Sequence, residues 1–271
     1  MMSDKARETV NTAPAEALEK FLIPTVFGPW AAEVVEQAAL RPGESVLDVG
    51  CGTGPAARLA VERVGPTGTV IGLDLDPGML EVARRCAERE GRRVDWRQAD
   101  VIKLPFGDRS FDVILCCQGL QFFPDKLAAL REMRRVLKRD GRLAASMWRD
   151  VAFCPGHLAI SGALAEQSGT KPASMPPFSL SDPDEIRSLA HAAGFGRTNI
   201  SSVRKISPFG SASEFVDALA AGAPSTRKAL QSLDQGKKAA VISAVTEALR
   251  AFTDTGGLRL PMESHILMAR A

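Results

Sequence analysis

The sequence contains no tyrosine and only three histidines among its 271 residues. A phenol therefore cannot act as a catalytic acid or base, and few imidazoles are available for that role. The formal net charge at pH 7 is only +2, so we expect neither nucleic acid nor an anionic membrane surface as a partner. These absences narrow the candidate catalytic groups and leave the formation of a homo-oligomer open.

Long apolar runs and paired cysteines are also missing. No stretch approaches the roughly 20 apolar residues of a membrane helix, and the first residues lack the apolar segment of a secretory signal. The five cysteines show no CxxC pair, and no spacing typical of a metal site is present. We therefore expect a cytoplasmic protein with reduced thiols, no membrane span and no bound metal.

Short β-type runs alternate with helical patterns between residues 45 and 148. The sequence predicts five strands in this part of the chain and two later ones, at 45–49, 69–73, 94–97, 111–116, 142–148, 200–206 and 263–269. Such alternation predicts an α/β, Rossmann-like fold with a seven-stranded, mostly parallel sheet and helices on both faces.

The remaining chain has a different character. Residues 1–40 read as an N-terminal helical cap segment, and 41–150 as the ligand-binding core. Residues 151–271 hold the last two strands together with a predicted lid, formed by residues 151–180 and 211–256. The first lid part is rich in Pro, Gly and Ser and predicts a loop or mobile cover, whereas the second shows helical patterns.

The run VLDVGCGTG at residues 46–54 carries Gly50, Gly52 and Gly54 directly after the first strand. Glycine weakens regular structure by about 0.5–1 kcal/mol relative to alanine, so three in five residues indicate a tight turn that a ligand approaches closely. In the dinucleotide fingerprint GxGxxG that would start at Gly50, Pro55 occupies the position of the third glycine. The GK[ST] motif of a phosphate-binding loop is also absent. An NAD site is therefore the less favoured alternative.

Polar residues follow the other predicted strands at the points where they end. These residues are Asp74, Asp100 and Gln118. Because the carboxyl ends of parallel strands meet at one edge of a sheet, we expect these side chains to line one crevice. Asp74 lies about 20 residues beyond the glycines, the distance at which a carboxylate accepts from ribose hydroxyls.

Five motifs occur in order over about residues 40–150: VLDVGCGTG, GLDLDPGML, QADVIKLPF, FDVILCCQGLQFFPD and LKRDGRL. In this the sequence resembles the class I S-adenosylmethionine-dependent methyltransferases, in particular the small-molecule, quinone-methyltransferase-like subgroup. The resemblance implies transfer of a methyl group from S-adenosylmethionine to a small, apolar or aromatic acceptor by O- or C-methylation. S-Adenosylhomocysteine would be the second product.

The resemblance also implies roles for individual residues. The glycines would lie against the amino-acid tail and adenosine of the donor. Asp48 would lie near its ammonium group, Asp74 at the ribose and Asp100 at the adenine amino group. The implied cofactor-binding residues are Asp48, Gly50, Gly52, Gly54, Asp74, Leu75, Met79, Asp100, Val101, Cys117 and Gln118. Structural alternatives remain for two of them: Asp48 would accept backbone N–H groups of the loop, and Met79 would fill the core.

The acceptor side has fewer signals. His157 is a candidate general base, with a surface position in the first lid part as the alternative, and Gln121 and Trp148 are candidates to face the acceptor. The apolar lid candidates are Phe21, Phe27, Phe153 and Phe178. Three other functions stay open: a scaffold that binds S-adenosylmethionine but catalyses a reaction such as a cyclisation, an NAD oxidoreductase, and a binding module without turnover.

Overall fold

A computed structural model of the protein describes residues 10–169 and 175–271, except for the side chains at 224 and 225. Its strands are β1 Ser45–Val49, β2 Thr69–Asp74, β3 Asp95–Gln98, β4 Phe111–Cys117, β5 Leu137–Trp148, β6 Thr198–Phe209, β7 Thr253–Asp254 and β8 Gly257–Arg270. They form one sheet in the order β3-β2-β1-β4-β5-β8-β6, and the two-residue β7 pairs with β8 outside that path.

Strands β1 to β5 pair in parallel, and β8 runs antiparallel to both β5 and β6. This confirms the Rossmann-like, mostly parallel sheet; the short β7 is an addition to the seven predicted strands. The strand order reverses between β1 and β4, and ligands of such sheets bind outside the carboxyl ends at that reversal.

The helices are α1 Ala13–Ala17, α2 Gly28–Ala38, α3 Pro55–Val64, α4 Pro77–Arg89, α5 Lys126–Val136, α6 Pro155–Ser168, α7 Pro183–Ala192, α8 Ala212–Gly222, α9 Pro224–Gln231 and α10 Gln235–Ala248. Leu18–Phe27 is a π-helix that joins α1 to α2. We call residues 13–38, which are helical throughout, the N-terminal segment. None of the helices in the described parts of the chain is long and apolar enough to span a membrane.

Capping residues explain where several helices begin. Asp76 accepts hydrogen bonds from the N–H groups of Gly78 and Met79, and Asp182 accepts one from Asp184. A proline follows each of these aspartates, at the first helical position, where its missing N–H has no cost. Asp76-Pro77 and Asp182-Pro183 therefore set the starts of α4 and α7.

Helices cover both faces of the sheet and bury a separate apolar core on each. One core gathers residues of the N-terminal segment, α3, α6, α8 and α10, with Trp30 fully buried among them. The other core lies between the sheet and helices α5 and α7, around Leu130 and Ile186. The first core contains the helical insertion between β6 and β8 that the sequence predicts.

Two predictions about these elements are wrong. In the first lid part, Pro155–Ser168 is a 14-residue helix rather than a loop, and residues 170–174 of that part lie outside the described residues. Helix α5 ends at Val136, and β5 begins at Leu137 rather than at the predicted residue 142; Leu137 is fully buried opposite Phe111. Pairing and burial of Leu137 override the helical spacing that this residue continues.

The last two strands are also longer than predicted, since they pair with each other from Thr198–Ala269 to Phe209–Leu258. Pro208 lies on the edge strand β6. Pro261 lies in the first part of β8, which precedes Ser264 and does not pair with β5. Each proline therefore has one neighbouring strand at most, so its missing N–H is tolerated.

Candidate functional site

The glycine loop lies at the carboxyl end of β1, where the strand order reverses. Gly50, Gly52 and Gly54 have φ values of 66°, 55° and 80°. These left-handed conformations strain any residue with a side chain, so the turn itself requires glycine at all three positions.

The three glycines differ in their surroundings. A Cβ atom at Gly54 would lie 2.2 Å from Cη2 of Trp96, whose ring also lies across Gly72 of β2. At Gly50 it would lie 3.3 Å from the ring of Phe123, and at Gly52 no atom would lie within 4 Å. Gly54 therefore serves internal packing, whereas Gly52 faces free space that a ligand can occupy.

Asp74 at the end of β2 holds the glycine loop. Its Oδ2 accepts a hydrogen bond of 2.8 Å from the N–H of Gly52, and its Oδ1 accepts one of 2.9 Å from Asp76. Burial raises the pKa of Asp74, because the charged carboxylate is removed from water. One side chain thus orders the loop and places a carboxylate beside the open face of Gly52.

Asp48, in β1, is buried with one oxygen unsatisfied. Its Oδ2 accepts a hydrogen bond of 3.0 Å from the N–H of Ala57 in the first turn of α3, whereas Oδ1 has no partner. Burial raises the pKa of Asp48 to about 7, and the charge of Asp74 acts in the same direction. A buried carboxylate oxygen without a partner near a second acid suits a cationic group.

The residues predicted around the adenine separate into two groups. Leu75 is 64% exposed, and Asp100 caps the short 3-10 helix Val101–Lys103 by accepting a 3.1 Å hydrogen bond from Ile102. Met79 is half-buried and packs against the small apolar cluster that includes Ala15, which fits the core alternative. Leu75 and Asp100 are therefore exposed just beyond the ends of β2 and β3, and Met79 contacts the N-terminal segment.

A buried polar network follows the end of β4. Gln118 has a φ of 54°, rare for a residue with a side chain, and its Nε2 donates a 2.8 Å hydrogen bond to Oγ of Ser264. Its Oε1 accepts a 3.0 Å bond from Nε2 of Gln121, whose own Oε1 is buried without a partner. Backbone strain and an unsatisfied amide oxygen together mark this position as a candidate binding point.

Cys117, just before this network, is an unreactive thiol. Burial raises its pKa to about 12, and its sulfur lies 3.6 Å from Oγ of Ser146. The thiolate is the nucleophilic form of cysteine, so this residue contributes contact surface rather than covalent chemistry.

Aromatic side chains gather at the end of β5 and form what we call the aromatic wall, comprising Phe27, Trp30, Trp148, His157 and Phe178. The ring centroid of Trp148 lies 6.3 Å from that of Phe27 and 6.5 Å from that of Phe178. Trp30 meets Trp148 edge-on at 5.6 Å. The wall thus combines the N-terminal segment, β5, α6 and the short 3-10 helix Pro176–Phe178.

Two of the four apolar lid candidates, Phe27 and Phe178, belong to the aromatic wall. The other two do not: Phe21 and Phe153 are each 39% exposed, and the guanidinium of Arg149 lies 3.5 Å from the Phe153 ring centroid.

His157 lies on helix α6 rather than in a surface loop. Its ring packs against Phe178 at 5.4 Å and Phe215 at 6.0 Å between centroids. Gly156 permits this position, since a Cβ there would lie 2.7 Å from Cδ1 of Leu260 on β8. Burial lowers the pKa of His157 to about 4, so the imidazole is neutral at pH 7 and free to accept a proton, although it holds that proton weakly.

The site includes residues that the sequence analysis does not single out. Trp96 supports the glycine loop, and Ser146 and Ser264 bind Gln118. Trp96 could have been noticed as a lone tryptophan in a predicted strand of four residues, whereas no feature of the sequence distinguishes the two serines. In the described ranges, 10–169 and 175–271, no group of three or more His, Cys, Asp or Glu side chains is placed to hold a metal ion.

Comparisons with known proteins agree with this geometry. Residues 47–145 match the methyltransferase domain family. The chain is 40% identical over 116 residues to a demethylmenaquinone methyltransferase of Listeria monocytogenes serotype 4a, which covers 42% of this chain and 49% of that protein. It is 43% identical over 116 residues to the ubiquinone/menaquinone biosynthesis C-methyltransferase UbiE of Ectopseudomonas mendocina, which covers 42% and 45%.

The chain spans about half the length of these curated relatives. Among solved structures, the YcgJ protein of Bacillus subtilis superimposes with a TM-score of 0.59 at 22% identity, covering 89% of this chain and 97% of that one. At this identity the likeness concerns the fold. The matches confirm the resemblance that the ordered motifs predict: residues 47–145 are similar to the methyltransferase domain family.

Proposed function

We propose that the protein is an S-adenosylmethionine-dependent methyltransferase that acts on a small apolar or aromatic acceptor. The observation that carries the proposal is the open face of Gly52, whose N–H donates to Asp74, together with the unpartnered oxygen of buried Asp48 at the end of β1. The methyltransferase domain match and the quinone methyltransferases among the relatives support the same reading.

The residues at the crevice fit the donor. Gly50 and Gly52 would lie against its amino-acid tail, and the free oxygen of Asp48 suits its ammonium group. Asp74 would accept from the ribose hydroxyls, and Leu75 and Val101 would pack on the adenine, with Asp100 at the adenine amino group. Two acids whose pKa values are raised suit a cationic ligand and oppose the pyrophosphate of NAD.

When bound, S-adenosylmethionine supplies a methyl group activated by a positively charged sulfur. The chain itself contributes alignment, since methyl transfer gains most from holding the acceptor atom in line at about 3–3.5 Å. The aromatic wall would exclude water and hold a planar ring. The unpartnered Oε1 of Gln121 would accept a hydrogen bond from a hydroxyl of the acceptor, because a buried oxygen without a partner is costly.

His157 remains the candidate for removing a proton where the acceptor must lose one. Its neutral ring meets the charge requirement, and its low pKa limits it to protons that become acidic during transfer. We propose a planar ring bearing oxygen substituents as the acceptor class, in line with the quinone precursors named in the relatives. Cytoplasmic location, oligomeric state and the division into cap, core and lid stay predictions.

The direct test follows label from methyl-labelled donor into product by mass spectrometry, with reduced naphthoquinones and benzoquinones as acceptors. We expect a product heavier by one labelled methyl group and an equal amount of S-adenosylhomocysteine. The variant Asp74→Asn serves as the control, since it keeps the residue's size but removes the charge that faces the crevice.

Other outcomes separate the alternatives. Conversion of an acceptor without gain of label would favour the scaffold that catalyses a cyclisation. Thermal protection by NAD but not by S-adenosylhomocysteine would contradict the proposal and favour an oxidoreductase. Donor affinity without turnover on any acceptor of the panel would favour a binding module.

A further inference from the structure

A buried ion-pair cluster lies next to the glycine loop and has no place in the function described above. Its centre is Arg58 of α3, whose side chain is 8% exposed. The Nη2 atom of Arg58 lies 2.9 Å from Oε1 of Glu19, and its Nε lies 3.4 Å from Oε1 of Glu90. Its Nη1 donates a 3.2 Å hydrogen bond to the carbonyl oxygen of Thr53.

The carbonyl that Arg58 binds belongs to the glycine loop, because Thr53 stands between Gly52 and Gly54. Three left-handed glycines make this loop conformationally permissive, so its shape depends on contacts from outside. Asp74 provides one such contact at the N–H of Gly52, and Arg58 provides another at the Thr53 carbonyl. Hydrogen bonds from charged groups are the stronger kind, so Arg58 is well suited to fix the loop.

Glu19 connects the same cluster to the other side of the site. It belongs to the N-terminal segment, whose Phe27 packs against Trp148 in the aromatic wall. The second oxygen of Glu19, Oε2, is buried without a hydrogen-bond partner, and its first oxygen, Oε1, pairs with the guanidinium of Arg58. The pair therefore joins the donor loop to the segment that carries part of the acceptor wall.

We propose that Arg58 is a positioning residue that holds the glycine loop in its donor-binding shape, and that Glu19 makes this shape depend on the docked N-terminal segment. The inference rests on the proposed function, since it concerns the affinity of the loop for the donor. Arg58 itself lies on α3 and acts through the backbone of Thr53.

The chain offers a matched control in the pair Arg63–Glu36. This pair also joins α3 to the N-terminal segment, at 3.1 Å, but its side chains are 56% and 68% exposed. Its hydrogen bond runs between these two side chains and leaves the glycine loop untouched. Exposed pairs contribute little to stability, whereas removing one partner of a buried pair leaves a charge uncompensated.

The experiment measures S-adenosylhomocysteine affinity by calorimetry, melting temperature, and hydrogen–deuterium exchange of residues 50–54 in the full chain. The variants are Arg58→Lys, Glu19→Gln and the control Arg63→Gln. Lysine keeps the charge but cannot bridge Glu19 and the Thr53 carbonyl together, so we expect affinity to fall roughly tenfold and loop exchange to accelerate. Glu19→Gln leaves the Arg58–Thr53 contact possible, so we expect a smaller loss, about threefold.

With turnover as a further readout, Arg58→Lys should raise the KM for S-adenosylmethionine more than it lowers kcat, as expected for a residue that positions the donor loop. Arg63→Gln should leave affinity, exchange and KM unchanged. A folded Arg58→Lys variant with wild-type affinity and loop exchange would overturn the proposal. The proposal would also be overturned if donor affinity fell in proportion to the melting temperature in all three variants. Absence of any S-adenosylhomocysteine binding by the wild-type chain would instead contradict the proposed function.

Discussion

The two halves of the proposed site are built in different ways. The proposed donor half, at the ends of β1, β2 and β3, consists of backbone turns in which Asp48 and Asp74 accept hydrogen bonds from nearby N–H groups. The proposed acceptor half, at the ends of β4 and β5, consists of side chains from four separate parts of the chain. Turn geometry leaves a mark in the local sequence, whereas a wall assembled from distant segments leaves none.

The halves also differ in electrostatics. The proposed donor half is acidic, with Asp48 buried and Asp74 half-buried, and removal from water raises the pKa of both. The acceptor half is apolar apart from the Gln118–Gln121 pair and the neutral ring of His157. A cationic donor would therefore bind the acidic half and an apolar acceptor the apolar half. If the halves act independently, a substitution in one should leave binding to the other unchanged.

The largest effect is expected for Gly54→Ala. A methyl group there would collide with Trp96 and would impose left-handed strain, so we expect a loss of about 2–4 kcal/mol of unfolding free energy. The additional change Trp96→Leu should restore part of the loss. Gly52→Ala is the matched comparison: it should cost about 1 kcal/mol in stability but at least about tenfold in donor affinity. Urea denaturation and calorimetry measure both, and equal behaviour of the two variants would contradict the division of roles.

A second prediction concerns pH. The pKa of Asp48 is near 3.9 in an unfolded chain and about 7 in the fold, so the folded state binds this proton more tightly. The stability that this provides is fully present below about pH 4 and is lost as pH rises through about 7, a change of about 4 kcal/mol. Asp48→Asn should flatten this part of the profile.

The same group links binding to proton release. A cationic ligand beside Asp48 lowers the pKa of that carboxylate, so donor binding near pH 7 should release protons. Calorimetry in buffers of different ionisation enthalpy measures the release, and Asp48→Asn should abolish it. If the unfolding free energy of the wild-type chain rises between pH 4 and 7 as much as that of Asp48→Asn, then Asp48 does not have a raised pKa in the fold.

A third prediction separates donor from acceptor binding at Asp74. We expect Asp74→Ala to weaken S-adenosylhomocysteine binding by about 1–3 kcal/mol, since both the loop N–H and the ribose hydroxyls lose their acceptor. The KM for the acceptor should stay within about twofold, because the aromatic wall is untouched. Unchanged donor affinity would remove Asp74 from the site.

The smallest effect is expected in the aromatic wall. Trp148→Phe keeps an apolar ring but reduces the contact with Phe27 and Phe178. We therefore expect the acceptor KM to rise, with a loss of about 1 kcal/mol in the free energy of acceptor binding. Donor affinity should remain that of the wild-type chain. Steady-state kinetics with each substrate varied in turn distinguish the two effects, and a larger change in donor KM would show that the halves are not independent.

Much of the donor half was accessible from the sequence. The alternate glycines, Asp74 and the capping motif Asp76-Pro77 are local signals, because turn conformation and helix starts depend on neighbouring residues. The packing of Gly54 on Trp96 was not accessible, since Trp96 lies more than 40 positions later and meets the loop only through the pairing of β2 with β3.

The acceptor half shows the opposite case. Phe27 and Phe178 were identified as apolar candidates together with Phe21 and Phe153, and nothing local distinguishes the pair that joins the wall from the pair that does not. Pro, Gly and Ser around His157 predict a loop and leave both a general base and a surface position open for this residue, whereas α6 is helical there and packs closely on β8 at Gly156.

By itself, the amino-acid sequence determined the alternation of strands and helices, the glycine turn and the acids that follow strand ends. These features follow from backbone conformations that a few consecutive residues set. Only the tertiary structure decided which oxygen of Asp48 stays unpaired, which aromatic rings meet Trp148, and that Arg58 joins Thr53 to Glu19. Those outcomes depend on packing between segments far apart in the chain, where burial and the satisfaction of polar groups outweigh local preference.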